Sequence, residues 1–243
     1  MNKKNENGFI SFHLGCDLGK QSDFTAICFL RKLTPLDRQN RVNGQSVYEV
    51  LMMKRFALKT SYVSIVGEIS NRLKRPPFDS WQDYRGITRP AKVPTFLAFD
   101  QTGVGQSVSE LLRNDAFLDK RLERLYPINI TAGREPSEGS DFLNIPKRDL
   151  IMATLIAFEK GFLEFAADMP ELPTLIDELQ NFEMKFTAKG NDTYSAKGAN
   201  HDDLVLALSL AVWSAKNTDE SFDEDLALKQ AILWSGKHSP SRF

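Results

Sequence analysis

The chain of 243 residues has few cysteines, no surplus of positive charge and no long uncharged apolar run. Its two cysteines, Cys16 and Cys28, sit inside apolar segments and read as buried reduced thiols. Neither a disulfide scaffold nor a zinc site built on cysteine is expected, and a reduced, cytoplasmic setting is. Lysine plus arginine number 31 against 32 aspartates and glutamates. That balance excludes a broadly basic nucleic-acid coat protein but leaves room for a local basic groove. No apolar stretch is long enough to span a bilayer, and the polar start, Met1 to Gly8, has no apolar core of a signal peptide. A phosphate-binding loop is also missing. Gly19-Lys20 imitates the end of one, but position 14 is leucine where that loop needs glycine, and position 21 is glutamine where it needs Ser or Thr. No ATP hydrolysis is expected of this polypeptide.

What the chain does have is four aspartates at the edges of apolar runs. Asp17 ends Phe9-Ile-Ser-Phe-His-Leu-Gly-Cys-Asp17, and Asp100 ends Val93-Pro-Thr-Phe-Leu-Ala-Phe-Asp100. Asp202 and Asp203 open Asn200-His-Asp-Asp-Leu-Val-Leu-Ala-Leu-Ser-Leu-Ala-Val-Trp213. A carboxylate beside a buried segment costs free energy unless a cation or donor compensates it. Three such edges meeting in one fold would make an oxygen-rich pocket for hard divalent ions, Mg²⁺ or Mn²⁺. Each has a plainer reading. Asp17 can be a strand-ending turn residue, Asp100 a strand-to-helix turn, and the Asp202–Asp203 pair a favourable interaction with a helix dipole. The pair carries the sharper signal, because its helix is apolar on nearly every face and adjacent buried carboxylates repel. Which of the two would be the principal ligand stays open. His201 reads as a neighbour of the site, since hard metals prefer oxygen.

Periodicity and turn residues predict strands over 9–17, 25–30 and 47–53 and a helix from the cap Ser61 to about Arg75. Pro76 to Pro94 reads as an irregular loop, Thr95 to Asp100 as a fourth strand followed by a helix, and Tyr126 to Ile130 as a fifth strand. Thr131 to Asn144 reads as a mobile loop, with Pro146 at the first position of a helix reaching Gly161. A short helix over Leu172 to Asn181, a strand over Glu183 to Thr187, a loop over Gly190 to Asn200 and a last core helix complete the order. The expected class is α/β, with three antiparallel strands and then two parallel ones, flanked by helices. The expected division is a disordered start at 1–8, one domain at 9–216, and a peripheral helix and flexible tail at 217–243. Lys147 and Arg148 open a helix, where cations oppose the dipole, so a partner is expected: a phosphate, or Asp149 or solvent. Arg134 is a further phosphate candidate.

Four motifs in order, Gly15-Cys-Asp17-Leu-Gly with Asp23-Phe-Thr25, Phe99-Asp100-Gln-Thr-Gly-Val-Gly, Pro146-Lys-Arg-Asp-Leu150 and His201-Asp-Asp-Leu-Val-Leu-Ala-Leu208, give the chain a likeness. Over residues 9 to 216 it resembles the nuclease domain of the large terminase subunit of tailed bacteriophages and prophages. The resemblance implies a ribonuclease H-like mixed sheet with the first and fourth strands side by side and parallel. It also implies a two-metal endonuclease that cuts concatemeric viral DNA during packaging. Asp17, Asp100, Asp202 and Asp203 would take the positions of the metal-binding acids, one ion lying between Asp17 and Asp100 and the second between Asp17 and the pair. Double-stranded DNA, a packaging ATPase domain or subunit and a portal are the implied partners, in the bacterial host cytoplasm. Junction-resolving nucleases of the same fold, a decayed DNA-binding module and an actin- or sugar-kinase-like phosphotransferase are the alternatives. The last would need a second phosphate-binding hairpin, which the sequence does not display.

Overall fold

The computed structural model describes residues 8–19, 23–37, 39, 41–82, 88–90, 93–103, 106–166, 168–185, 193–196 and 201–218. The expected disordered start and most of the expected tail lie outside these residues. In chain order the elements are β1 (Gly8–Asp17), β2 (Ala26–Pro35), β3 (Val47–Arg55), α1 (Tyr62–Leu73), β4 (Ser80–Gln82) and β5 (Thr88–Pro90). Next come β6 (Thr95–Asp100), α2 (Gln106–Asn114), α3 (Ala116–Arg121), β7 (Arg124–Thr131), β8 (Ser137–Glu138) and β9 (Leu143–Pro146). The last are α4 (Lys147–Glu159), β10 (Leu163–Phe165), α5 (Leu172–Gln180), β11 (Phe182–Lys185), β12 (Thr193–Ala196) and α6 (Asp203–Asn217).

Eight strands form one sheet in the order β10-β3-β2-β1-β6-β7-β9-β8. β1, β2 and β3 are antiparallel neighbours, and β6 lies parallel to β1 with β7 parallel beyond it. This is the mixed ribonuclease H-like sheet. β1 is its middle, and all ten of its residues are buried. Such a strand, covered on both faces, reads as a nearly continuous apolar run rather than an alternation.

The two faces of β1 nevertheless differ. Ile10, Phe12, Leu14 and Cys16 enter a core shared with Ile65, Ile69 and Leu73 of α1, Val108 and Leu112 of α2, and Leu118 of α3. The alternate residues, Ser11, His13, Gly15 and Asp17, face the other way because side chains alternate along a strand. There α6 lies directly on the sheet. A Cβ on Gly15 would stand 2.0 Å from the Ala207 carbonyl oxygen and 2.4 Å from the Ala211 nitrogen, so only glycine admits that approach. His13 Nδ1 meets Ser214 Oγ at 2.9 Å, two residues up β1 and near the far end of α6. Burial, and then the field of Lys32, lowers the pKa of this histidine well below the usual value, so it is neutral.

Several elements depart from the sequence expectations. The stretch read as a mobile loop over 131–144 contains β8 and the start of β9, which extend the sheet by two strands. Pro146 is the residue before α4 rather than its first helical one. Its φ of −56° and ψ of 132° are extended, and it closes the β7–β9 ladder opposite Thr131. A residue without an N–H is tolerated at the end of a ladder. The loop read over 76–94 contains the β4–β5 hairpin, and a three-residue edge strand, β10, pairs parallel with β3. The helix after Gly103 is two helices, broken where Asp115 caps α3 by accepting from the Phe117 and Leu118 N–H groups at 3.0 and 2.9 Å. β12 falls within the expected 190–200 loop and pairs with β11.

Candidate metal centre

The acids are brought together by backbone geometry before any side-chain contact is considered. The parallel register pairs Cys16 with Phe99, so Asp17 and Asp100 are the next positions on adjacent strands. Neighbouring strands lie about 4.8 Å apart. Along β1 and α6 the contacts run in opposite senses, His13 with Ser214 and Gly15 with Ala207 and Ala211. One further step of two residues down β1 reaches Asp17, and one turn back from Ala207 reaches Asp203. Those steps are about 6.6 Å and about 6 Å, so they keep pace. The close packing at Gly15 therefore carries the start of α6 to the end of β1.

Electrostatics agree with that placement. The Asp17 carboxyl, 8% exposed, is pushed well above its usual pKa, first by burial and then by repulsion from Asp100, Asp203 and Asp202, in that order. Lys147 opposes the shift. Burial also raises Asp100, against the hydrogen bonds of its Asx turn and the pull of Lys147. In that turn the Thr102 N–H donates to Asp100 Oδ1 at 2.8 Å, and Thr102 Oγ1 accepts from the Ile130 N–H at 2.9 Å. Asp203 is raised by burial, opposed chiefly by Arg55.

Asp202 and Asp203 are each turned toward a cation. Lys147 Nζ lies 2.8 Å from Asp202 Oδ2, and Arg55 Nη2 lies 3.3 Å from Asp203 Oδ2. His201 Nδ1 stands 3.8 Å from the same Asp203 oxygen, and its ring packs edge-on against Phe24. Arg55 also pairs with Glu178 and rests on the Phe24 ring, with its guanidinium carbon 5.0 Å from the centroid. Glu178, only 4% exposed, accepts from the Leu204 and Val205 N–H groups at 2.9 and 3.1 Å. It thus caps α6 from α5. Arg55 and Glu178 were not singled out from the sequence. The available signal was an acid on the apolar side of α5, three residues after the buried Leu175.

Of the predicted phosphate candidates, Lys147 joins the acids, Arg148 is exposed beside it, and Arg134 is exposed on the turn between β7 and β8. Asp23 is exposed and lines a cavity of about 450 Å³ with Gly19, Thr25, Lys59, Ser61 and Tyr62. Tyr62 closes that side by donating its hydroxyl to the Gly19 carbonyl at 3.0 Å.

The donor set fits hard divalent cations. Four aspartates and Glu178 face two cations, Lys147 and Arg55, which leaves negative charge in excess. Asp203 Oδ2 is buried and is met by the Arg55 guanidinium at 3.3 Å without a well-aligned hydrogen bond, which leaves it able to take a metal ion as well. Among the described residues no three such side chains close round an ion as they stand. Asp202, Asp203 and Asp100 are held by Lys147, Arg55 and the Thr102 N–H respectively.

No protein-family model matches the chain. A segment of 65 residues, 27% of the chain, is 40% identical to the terminase large subunits of Thermus phage G20c and Thermus virus P23-45. That segment spans 13% of those subunits. The fold is similar to the large terminase nuclease of phage G20c with bound magnesium, at a TM-score of 0.51 and 22% identity over 84% of this chain and 81% of the other. It is equally similar to the human cytomegalovirus terminase nuclease domain, manganese-soaked and inhibitor-bound, at a TM-score of 0.51 and 12% identity over 89% of this chain and 87% of that one. The chain is thus similar in sequence to terminase large subunits over that segment, and similar in fold to terminase nuclease domains. Among the described residues no helix is long and apolar enough to cross a membrane.

Proposed function

We propose that this chain is a divalent-metal-dependent DNA endonuclease of the terminase type, which cuts concatemeric viral DNA during genome packaging in the host cytoplasm. Residues 9–216 would form the nuclease unit, with 1–8 and 217–243 peripheral to it. The observation that carries the reading is the convergence of three acid-bearing edges: the ends of β1 and β6 and the start of α6. Relatives that are terminase large subunits, and fold neighbours solved with magnesium or manganese, favour this chemistry over the actin-like or kinase-like alternatives.

Two bound cations would supply Lewis-acid stabilisation and lower the pKa of the attacking water. Asp17 and Asp100 would hold one, and Asp17 with Asp203 the other. Asp203 is preferred to Asp202 because its field on Asp17 is the larger and it is the more buried. β1 and β6 fix two of these carboxylates on rigid strands, and the Glu178 cap fixes the first turn of α6. Lys147, Arg148 and Arg134 would bind backbone phosphates, which makes binding salt-dependent. Such contacts carry no base information, so little intrinsic sequence preference is expected. A packaging ATPase, as a domain or a separate subunit, and a portal would complete the machine.

The test is cleavage of supercoiled plasmid with Mn²⁺, with and without EDTA, by wild type, Asp100→Asn and Asp203→Asn. Cleavage by wild type alone is expected. Undiminished cleavage by both variants refutes the assignment, and a strong preference for branched over linear duplex would move it to the junction-resolving class.

A further inference from the structure

Lys147 is placed where helix electrostatics disfavour it. It is the first residue of α4, its cation sits at the positive end of the dipole, and Pro146 before it offers no side-chain cap. The ammonium is held there by the acids instead. Nζ lies 2.8 Å from Asp202 Oδ2, and its field reaches both Asp17 and Asp100. The two side chains are each about a quarter exposed, at 23% and 22%, so the pair lies at the mouth of the cluster.

We propose that Lys147 is an exchangeable internal cation that couples metal loading to DNA binding. The inference rests on the nuclease reading and deepens it. In the protein alone the ammonium neutralises Asp202 and the acids around it. A divalent ion approaching that side of the cluster must compete with this charge, and the displaced ammonium needs another anion. An incoming backbone phosphate is that anion, and it arrives at the same mouth. DNA thereby removes the competitor, and metal and DNA strengthen each other's binding. The reciprocity is thermodynamic: whatever factor DNA gives to metal affinity, metal gives to DNA affinity. A part-exposed ion pair of this kind corresponds to about a fivefold factor in affinity. Arg55 does not share the role. It is more buried, and Glu178 and the Phe24 ring hold it in place.

The test is calorimetric titration of Mn²⁺ into the full chain, alone and with a phosphorothioate duplex that resists cleavage. Wild type, Lys147→Met, Lys147→Gln and Lys147→Arg are compared. Lys147 is part-exposed and unfavourable to its own helix, so the neutral variants should fold, and melting in EDTA checks this. Without DNA, Lys147→Met and Lys147→Gln should bind Mn²⁺ about fivefold more tightly than wild type. The tightening caused by DNA should be about fivefold smaller in them, while Lys147→Arg keeps the wild-type coupling. Equal or weaker Mn²⁺ binding by the neutral variants, or undiminished coupling, overturns the proposal and leaves the nuclease reading standing. Absence of Mn²⁺ uptake by every protein, wild type included, overturns both.

Discussion

The substitution Gly15→Ala is a severe test of how the site is assembled. It adds one methyl group, two residues before Asp17, on a strand that accommodates alanine without backbone strain. Yet that Cβ would stand 2.0 Å from the Ala207 carbonyl oxygen, 2.4 Å from the Ala211 nitrogen and 3.1 Å from the Ala207 carbonyl carbon. Relief needs more than an ångström of movement, and the obstructing atoms are helix backbone, which cannot rotate aside as a side chain would. α6 must lift from β1 as a body. Overpacking costs about 1–3 kcal/mol, and contact with backbone at two successive turns puts this case at the upper end. For a chain of this size that lowers the melting temperature by about 6–12 °C. The lift also separates Asp203 from Asp17, and a displacement of about 1 Å at a reacting centre costs about 10²-fold in rate. The assay pairs a thermal melt with plasmid cleavage in Mn²⁺ well below the variant's melting temperature. A variant that melts and cuts as wild type does would show that α6 does not set the position of Asp203, and the geometric argument would be wrong.

The other predictions concern charge. Asp17 has a folded-state pKa above its unfolded one, so the stability it allows is complete at acid pH and is lost as pH rises through the raised value. In EDTA, Asp17→Asn should therefore melt above wild type at pH 8, with the gain shrinking toward pH 4; a loss of stability at pH 8 would contradict this. Glu178→Ala strands the Arg55 guanidinium and uncaps α6, and should cost about 3–5 kcal/mol, whereas pairing Glu178→Leu with Arg55→Met should recover much of that. Equal melting temperatures for the single and the paired variant would count against a buried, coupled pair.

Strand-ending acids were legible because an apolar run that stops on aspartate is conspicuous, and β6 was bounded correctly at both ends. The parallel neighbourhood of the first and fourth strands was also legible, through the ribonuclease H-like arrangement that the resemblance implies. The short strands were not. β8, β9 and β10 have two to four residues each, too few to display a period, and they exist because the sheet edge offers a partner. Arg55 and Glu178 were invisible for a related reason. One ends a strand and the other lies on a helix, and nothing local announces a pairing across 123 positions. Pro146 was misplaced by one residue because its fixed φ suits both a helix start and an extended strand, and the β7 ladder decided between them.

β1 carries Asp17 at its end and is buried along its whole length, with β2 and β6 on its flanks and α6 across it. Its amide protons from Phe12 to Asp17 are therefore among those that exchange with solvent only when the whole molecule opens. Warming should therefore loosen the acid-bearing strand only together with the rest. Metal uptake at Asp17 should accordingly disappear at the temperature at which the native structure melts, and not before it.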